Sequence, residues 1–266
     1  MKDLAPAAIT EAEGLASILA TADDLDPAVH ATRKGTKRLR SFLRLARKSI
    51  GTGVYRTENA ALRDAARLIA PARDALVLIE TAREMNALGS VLTILEHLHL
   101  EELALIESGV RADVTMRLEL VASRWNTIEW KGPEDTSIRA GLTRTYRRGL
   151  ADFAAVQTEP SASAFHTWRR RVKYVRYQLE ALGAPDKLTR PWLALGDDLG
   201  WEHDHTVLIG VCGGYRDDDF RSVAEHAQAR RETLRSAALE AGDQLFVLTP
   251  KAFVAYVARA VDLETG

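Results

Sequence analysis

The chain has 266 residues, 46% of them hydrophobic and 27% charged, with 36 basic against 37 acidic side chains and a formal net charge of −1. That is enough chain for one large domain or two small ones with a real core, and the balance excludes a protein whose whole surface grips nucleic acid or an anionic membrane. The single cysteine, Cys212, excludes an intramolecular disulfide and a cysteine-built zinc site.

The first segment, including Glu11 to Asp26, is acidic and lacks the apolar core of a signal peptide, and no later run is apolar for long enough to span a bilayer. A reducing, cytoplasmic setting is expected. Leu, Ile, Val and Ala then recur at three- and four-residue spacing over Glu58–Ala82, Val91–Glu107, Ile138–Ala155 and Phe220–Leu245. Gly51-Thr-Gly53, Lys131-Gly-Pro133, Glu159-Pro-Ser161, Gly183-Ala-Pro185 and Cys212-Gly-Gly214 fall between periodic segments. Alternating β-branched strands are absent. The pattern predicts an all-α protein of about nine or ten helices.

Charge is placed unevenly along these helices. The stretch HATRKGTKRLRSFL, 30–43, is crowded with cations, and no Asp or Glu occurs between Val29 and Thr57. On a helix, Arg33, Lys34, Lys37 and Arg44 fall within about 60° of His30, with Arg38 and Arg40 about 80° to either side. Leu39, Phe42, Leu43 and Ala46 occupy the opposite face, so the helix has an apolar back and a cationic front. Like charges at i,i+4, as in Arg33–Lys37 and Arg40–Arg44, cost about 0.2–0.5 kcal/mol each. Binding of a polyanion would offset that cost.

The same pattern returns 136 residues later in HTWRRRVKYVRYQL, 166–179, with five identities in fourteen positions. His166, Arg169, Lys173 and Arg176 repeat His30, Arg33, Lys37 and Arg40, and Arg170 falls on Lys34. Tyr177 joins this second front. Glu180 stands where the first copy has Arg44 and is placed to pair with Arg176 at i,i+4. A second match relates Arg73-Asp74 and Val77-Leu78-Ile79 to His203-Asp204 and Val207-Leu208-Ile209. The order of landmarks is the same in both halves. The chain reads as a duplicated helical unit with its boundary near Pro160, the halves covering about 1–159 and 160–266. Arg144, Arg147 and Arg148 form a third cluster on one helix face, opposite Leu142, Tyr146, Leu150 and Phe153, with Arg230, Arg231 and Arg235 as a weaker counterpart.

The paired segments HxxRKxxKRLR and HxxRRxxKYxRYxLE, the Arg-Asp and His-Asp pairs, and Leu195-Gly-Asp-Asp-Leu-Gly200 together resemble the CHAD family (conserved histidine α-helical domain) over essentially the whole chain. The resemblance implies two four-helix bundles related by a pseudo-two-fold axis, with the basic faces meeting at a central pore or groove that binds inorganic polyphosphate. It also implies association with polyphosphate granules. Carried over residue by residue, the pore would be lined by His30, Arg33, Lys34, Lys37, Arg40 and Arg44, and by His166, Arg169, Arg170, Lys173, Arg176 and Tyr177. Arg38, Arg144, Arg147 and Arg148 join the expected binding set as cations on the same or neighbouring faces. Two positions depart from the family pattern, Glu180 in the second basic helix and His203 in place of arginine. The ExExK strand of the CYTH domain, to which family members are often fused, is absent, so a stand-alone binding module is expected.

Other chemistries have weaker footing. Glu202-His-Asp-His205, with His97 and His99, invites a metal reading, but adjacent helical ligands diverge and no His-Glu-x-x-His accompanies them. Asp74 and Asp204 are expected to cap or pair with nearby cations, and the acidic residues to avoid the basic faces. Neither a Gly-rich phosphate loop nor a metal-holding carboxylate cluster is evident, so no enzyme activity, cofactor or metal is expected. His30 and His166 suit hydrogen bonding to an anion or packing at the bundle interface. Single-stranded nucleic acid and an acidic protein are the rival ligands. Tyr177 is the single convincing stacking residue.

Overall fold

The computed structural model describes residues 4–263, all of whose regular elements are helical. Ten α-helices follow one another: α1 (Leu4–Thr21), α2 (Leu25–Leu68), α3 (Ala70–Glu84), α4 (Gly89–Leu105), α5 (Arg111–Trp125), α6 (Glu134–Thr158), α7 (Ala162–Ala181), α8 (Asp186–Cys212), α9 (Asp218–Leu245) and α10 (Pro250–Ala260). A π-turn, Ile106–Val110, joins α4 to α5. Among the described residues, no helix is long and apolar enough to cross a membrane.

Helix starts follow local chemistry. Asp24 accepts from the Asp26 amide, Ser161 from Ala164, Asp217 from Asp219 and Thr249 from Ala252, each satisfying an amide that the helix leaves orphaned. At Gly51, φ 79° and ψ 160° leave the helical region, so two helical runs meet at a kink within α2 where the Gly51-Thr-Gly53 punctuation was expected. One boundary was missed: the periodic stretch Glu58–Ala82 is broken at Ile69, where α2 ends and α3 begins. Hydrophobic spacing continues across Ile69, which is why periodicity alone passed over it.

The large core is built on α1, α2 and α5 at one side and on α6, α7, α10 and parts of α8 and α9 at the other. Tyr146 stacks on Phe253 at 4.0 Å, beside Trp192 and Phe246, and its hydroxyl donates to Leu245 and Leu248 carbonyls. A smaller core joins α3 and α4 to α8 and α9 through Ile79, Leu95, Leu208 and Phe220. Helix α6 packs on α2 as well as on α7 and α10. It approaches α2 along a stripe of small residues, Ser137, Gly141 and Thr145, one per helical turn. Ser137 Oγ donates to the Leu45 carbonyl at 2.8 Å and accepts from the Ser49 amide.

A Cβ at Gly141 would lie 2.6 Å from Leu45 Cα and 2.7 Å from the Arg44 carbonyl oxygen. Backbone cannot rotate away as a side chain can. Gly141→Ala is therefore expected to cost about 1–3 kcal/mol through overpacking, read as a lowered denaturant midpoint. An unchanged midpoint would mean that the α2–α6 seam is looser than observed.

Candidate polyanion-binding cavity

Helix α2 packs on α7, and α3 packs on α8. The four helices line a cavity of about 770 Å³ that is partly open to solvent. From α2 come His30, Arg33, Lys34, Lys37 and Arg40; from α7 come His166, Arg169, Arg170, Lys173, Arg176 and Tyr177. The two basic fronts thus face a common space, while Leu39, Leu43, Val172, Val175 and Leu179 anchor their backs in the large core. Eleven of the sixteen residues expected to bind are brought together here.

The other five lie elsewhere. Arg38 turns to α1 and pairs with Glu11 at 2.6 Å. That ion pair also holds part of the acidic N-terminal segment against α2, and no residue of α1 lines the cavity. Arg44, Arg144 and Arg148 line a separate small cavity, and Arg147 is exposed and borders neither. Arg235, of the weaker counterpart cluster, is engaged by buried Glu202 at 2.9 Å.

Helices α3 and α8 contribute residues that the helix-by-helix reading left out of the site, Arg73, Asp74, Asp197, His203 and Asp204, and α7 adds Tyr174. This corrects the expectation that acidic residues avoid the basic faces. Asp74 accepts from Arg33 at 2.8 Å, as the pairing expectation had it, and Asp197 lies 3.6 Å from Arg176. Arg176 is also held by Glu180 at 2.6 Å, the i,i+4 pair anticipated from sequence. The cation spacing of Arg73-Asp74 and its repeat at His203-Asp204 was the available signal that these segments belong beside the basic helices. Nine Lys and Arg side chains still face three aspartates.

Lys173 lies along α8 beside Gly196 and Gly200, where an added Cβ would make ordinary contacts with its Cγ at 3.9 Å and its Nζ at 3.8 Å. The Leu195–Gly200 motif thus borders the site as well as the core.

The cations are held in a setting that opposes their charge. Burial, reinforced by Arg33 and Arg169, brings Lys37 down to about 8 against the pull of Asp74 and Asp204. Burial, with Arg169 and Lys37, brings Lys173 down to about 7. Arg33 and Arg40 are lowered by burial first and also by neighbouring guanidiniums, and Arg169 by burial against the pull of Asp204, yet arginine stays charged over the accessible range. Arg33 Nη1 and Arg169 Nε are buried without a hydrogen-bond acceptor. Unmet buried donors are costly and rare in folded proteins, and both belong to residues that line the cavity.

The histidines are neutral in this field. His30 is lowered by burial and then by Arg73, and His166 by burial and then by Arg169. His166 Nδ1 stands 3.4 Å from His203 Nδ1, and burial with Arg169 takes His203 down to about 3. The side chains near the other candidate metal ligands diverge: Glu202 engages Arg235, His205 bonds the Trp201 carbonyl, His97 pairs with Glu101, and buried His99 bridges Asp26 and the Ala72 carbonyl. Among the described residues, no three His, Cys, Asp or Glu side chains converge as a metal site.

The sequence profile of the CHAD domain matches residues 12–213. Among solved structures, the chain is similar to PptA from Streptomyces chartreusis, with TM-score 0.68 and 15% identity over 91% of this chain and 97% of that one. It is also similar to the CHAD domain from the plant Ricinus communis, with TM-score 0.54 and 17% identity over 98% of this chain and 90% of that one. At these identities the likeness is one of fold. No curated protein matches the chain.

Proposed function

The chain belongs to the CHAD family, and from that premise and the cation-lined cavity we propose that it binds inorganic polyphosphate. The carrying observation is the confrontation of two basic helix fronts, Lys37 and Arg33 from α2 with Arg169 and Lys173 from α7, across one partly open cavity. Buried guanidinium donors without acceptors suit phosphoryl oxygens, which arginine meets in bidentate geometry. The packing of α2 on α7 and of α3 on α8, equivalent segments meeting in pairs, supports the two-fold arrangement of halves and a passage along the axis between them. The protein acts as a binding module, and its place in the cell is at polyphosphate granules. Of the cavity's aspartates, Asp74 is taken up by Arg33, which favours a positioning role over metal-assisted chemistry.

Single-stranded nucleic acid fits less well. Tyr174 and Tyr177 are buried, and each turns its ring to a guanidinium, Arg44 at 3.7 Å and Arg176 at 5.4 Å from the ring centroid. Little aromatic surface is left for stacking bases.

The test is a titration with polyphosphate of defined length against single-stranded DNA of matched phosphate number and an acidic peptide. If six to ten phosphates are engaged, the log–log slope of affinity against salt should be roughly −4 to −7. Polyphosphate should bind most tightly. Equal or tighter binding of the DNA would favour nucleic acid, and tighter binding of the peptide would favour a protein partner.

A further inference from the structure

A second cationic cavity opens where α2, α6 and α7 meet. Arg44, Arg47, Arg144, Arg148 and Arg171 surround it, with Tyr174 as a wall shared with the large cavity. Its free space is about 20 Å³, and an open groove of about 330 Å³ adjoins it past Arg47, Lys48 and Arg144.

The two cavities differ in how charge is met. Three aspartates line the large one; none lines the small one or its groove. Arg171 is answered by Asp152 at 2.9 Å from behind. Among the described residues, Arg44, Arg47, Arg144 and Arg148 have no carboxylate partner. Arg44, largely buried, has its guanidinium stacked 3.7 Å from the Tyr174 ring centroid and donates to the Arg40 carbonyl of its own helix. Neither contact neutralises it. Arg47 reaches the Thr52 hydroxyl at 3.4 Å and the Tyr55 ring at 5.0 Å, again without an anion.

These charges are not loose surface arginines that happen to coincide. The Ser137–Gly141–Thr145 stripe brings α6 against the backbone of Arg44 and Leu45, and Gln178 of α7 donates to Thr145 Oγ1 at 3.0 Å, which fixes the three-helix junction. Close packing thus gathers like charges around the largely buried Arg44, whose uncompensated charge is strongly unfavourable, with Arg47 and Arg144 half-buried and Arg148 exposed at the rim. Size decides what can relieve them. The enclosed space has room for about one water, too little for a chain to pass and suited to the oxygens of one phosphoryl group lodged at its mouth.

We propose that the α2–α6–α7 junction is a second anion site that holds a single phosphoryl group, either the end of a polyphosphate chain whose body lies in the large cavity or free orthophosphate. The chain-end source rests on the polyphosphate reading of the large cavity; the site itself does not. The lowering of Arg44 and Arg144, by burial first, agrees with cations confined without a counterion.

Arg144→Ala with Arg148→Ala tests the site, because both side chains reach it from the solvent side of α6. Arg147→Ala on the same helix is the control for charge alone. Calorimetry with orthophosphate and with long-chain polyphosphate should show at least one probe weakened about tenfold or more in the double variant, the range of a lost charged hydrogen bond. Arg147→Ala should bind both as wild type does. Loss confined to polyphosphate identifies the chain end, and loss of orthophosphate identifies the free ion. Wild-type affinity for both probes in the double variant overturns the site, as does an equal loss in Arg147→Ala. A wild-type protein that ignores polyphosphate but loses orthophosphate binding in the double variant keeps this site and defeats the reading of the large cavity. A wild-type protein that binds neither probe defeats both.

Discussion

Replacing Lys37 and Lys173 together by alanine should weaken polyphosphate binding at least a hundredfold near neutral pH while raising the melting temperature of the free protein. Both ammonium groups are buried in one cavity, where each contacts a setting poor in water. A charge-assisted hydrogen bond contributes about 1.5–3 kcal/mol there. The two sites influence each other, so their losses will not add simply. In the free protein the sign reverses. Lys37 faces Arg33 and Arg169, and Lys173 faces Arg169 and Lys37, so removing both relieves repulsion and two desolvation costs. Lost packing of the lysine stems offsets part of this gain. A net gain of about 1 kcal/mol would appear as roughly 2–4 °C in a chain of this size. Unchanged polyphosphate affinity would reduce the two basic helices to a solvated surface, and a lower melting temperature would show that the stems matter more than the charges.

Polyphosphate affinity should rise as the pH falls from about 9 to about 6, with protons taken up on binding. Burial holds Lys37 at about 8 and Lys173 at about 7, against an ordinary value of 10.5. A bound polyanion favours the ammonium form and moves both upward. Between pH 7 and 9 the complex then carries more protons than the free protein, so acid favours binding; the limiting slope is about two protons, one per lysine. The free protein shows the opposite trend in stability. For both lysines the unfolded chain binds more protons than the folded one between pH about 7 and about 10, so stability rises with pH through that window. Below it both are charged in either state and their penalty is full and constant. His203 adds a separate acid limb. Its folded value of about 3 lies below the ordinary 6.5, so its contribution is lost as the pH falls from 6.5 towards 3. Calorimetry in two buffers of different ionisation enthalpy measures the proton uptake. PH-independent affinity without uptake would show that the lysines are already charged and solvated in the free protein.

Helix content, the apolar backs of the two basic helices and their duplication were legible in the residues themselves, because each depends on spacing within a single helix. Ile138–Ala155 and Phe220–Leu245 lie inside α6 and α9, and Leu39, Leu43, Val175 and Leu179 are buried as their phase required. The same phase placed Arg33 and Lys37 with His30, and Arg169 and Lys173 with His166, on fronts that share one cavity. The resemblance carried by these paired motifs agreed with the family match.

Phase, however, says nothing of distance along the axis. Arg44 shares the angular sector of His30, yet fourteen residues of helix separate them by about 21 Å, and Tyr174 stands between the cavities they line. Arg38, at the edge of the same front, is claimed by Glu11 because α1 packs there. Asp74 and Asp204 enter the site through the packing of α3 on α8, a contact between helices more than a hundred residues apart. The sequence by itself determined which helix faces are cationic and which are apolar, since that is a property of local period. Only the tertiary structure decided which cations share a solvent-poor space and which are neutralised, since charge compensation depends on the distance between helices that periodicity never relates.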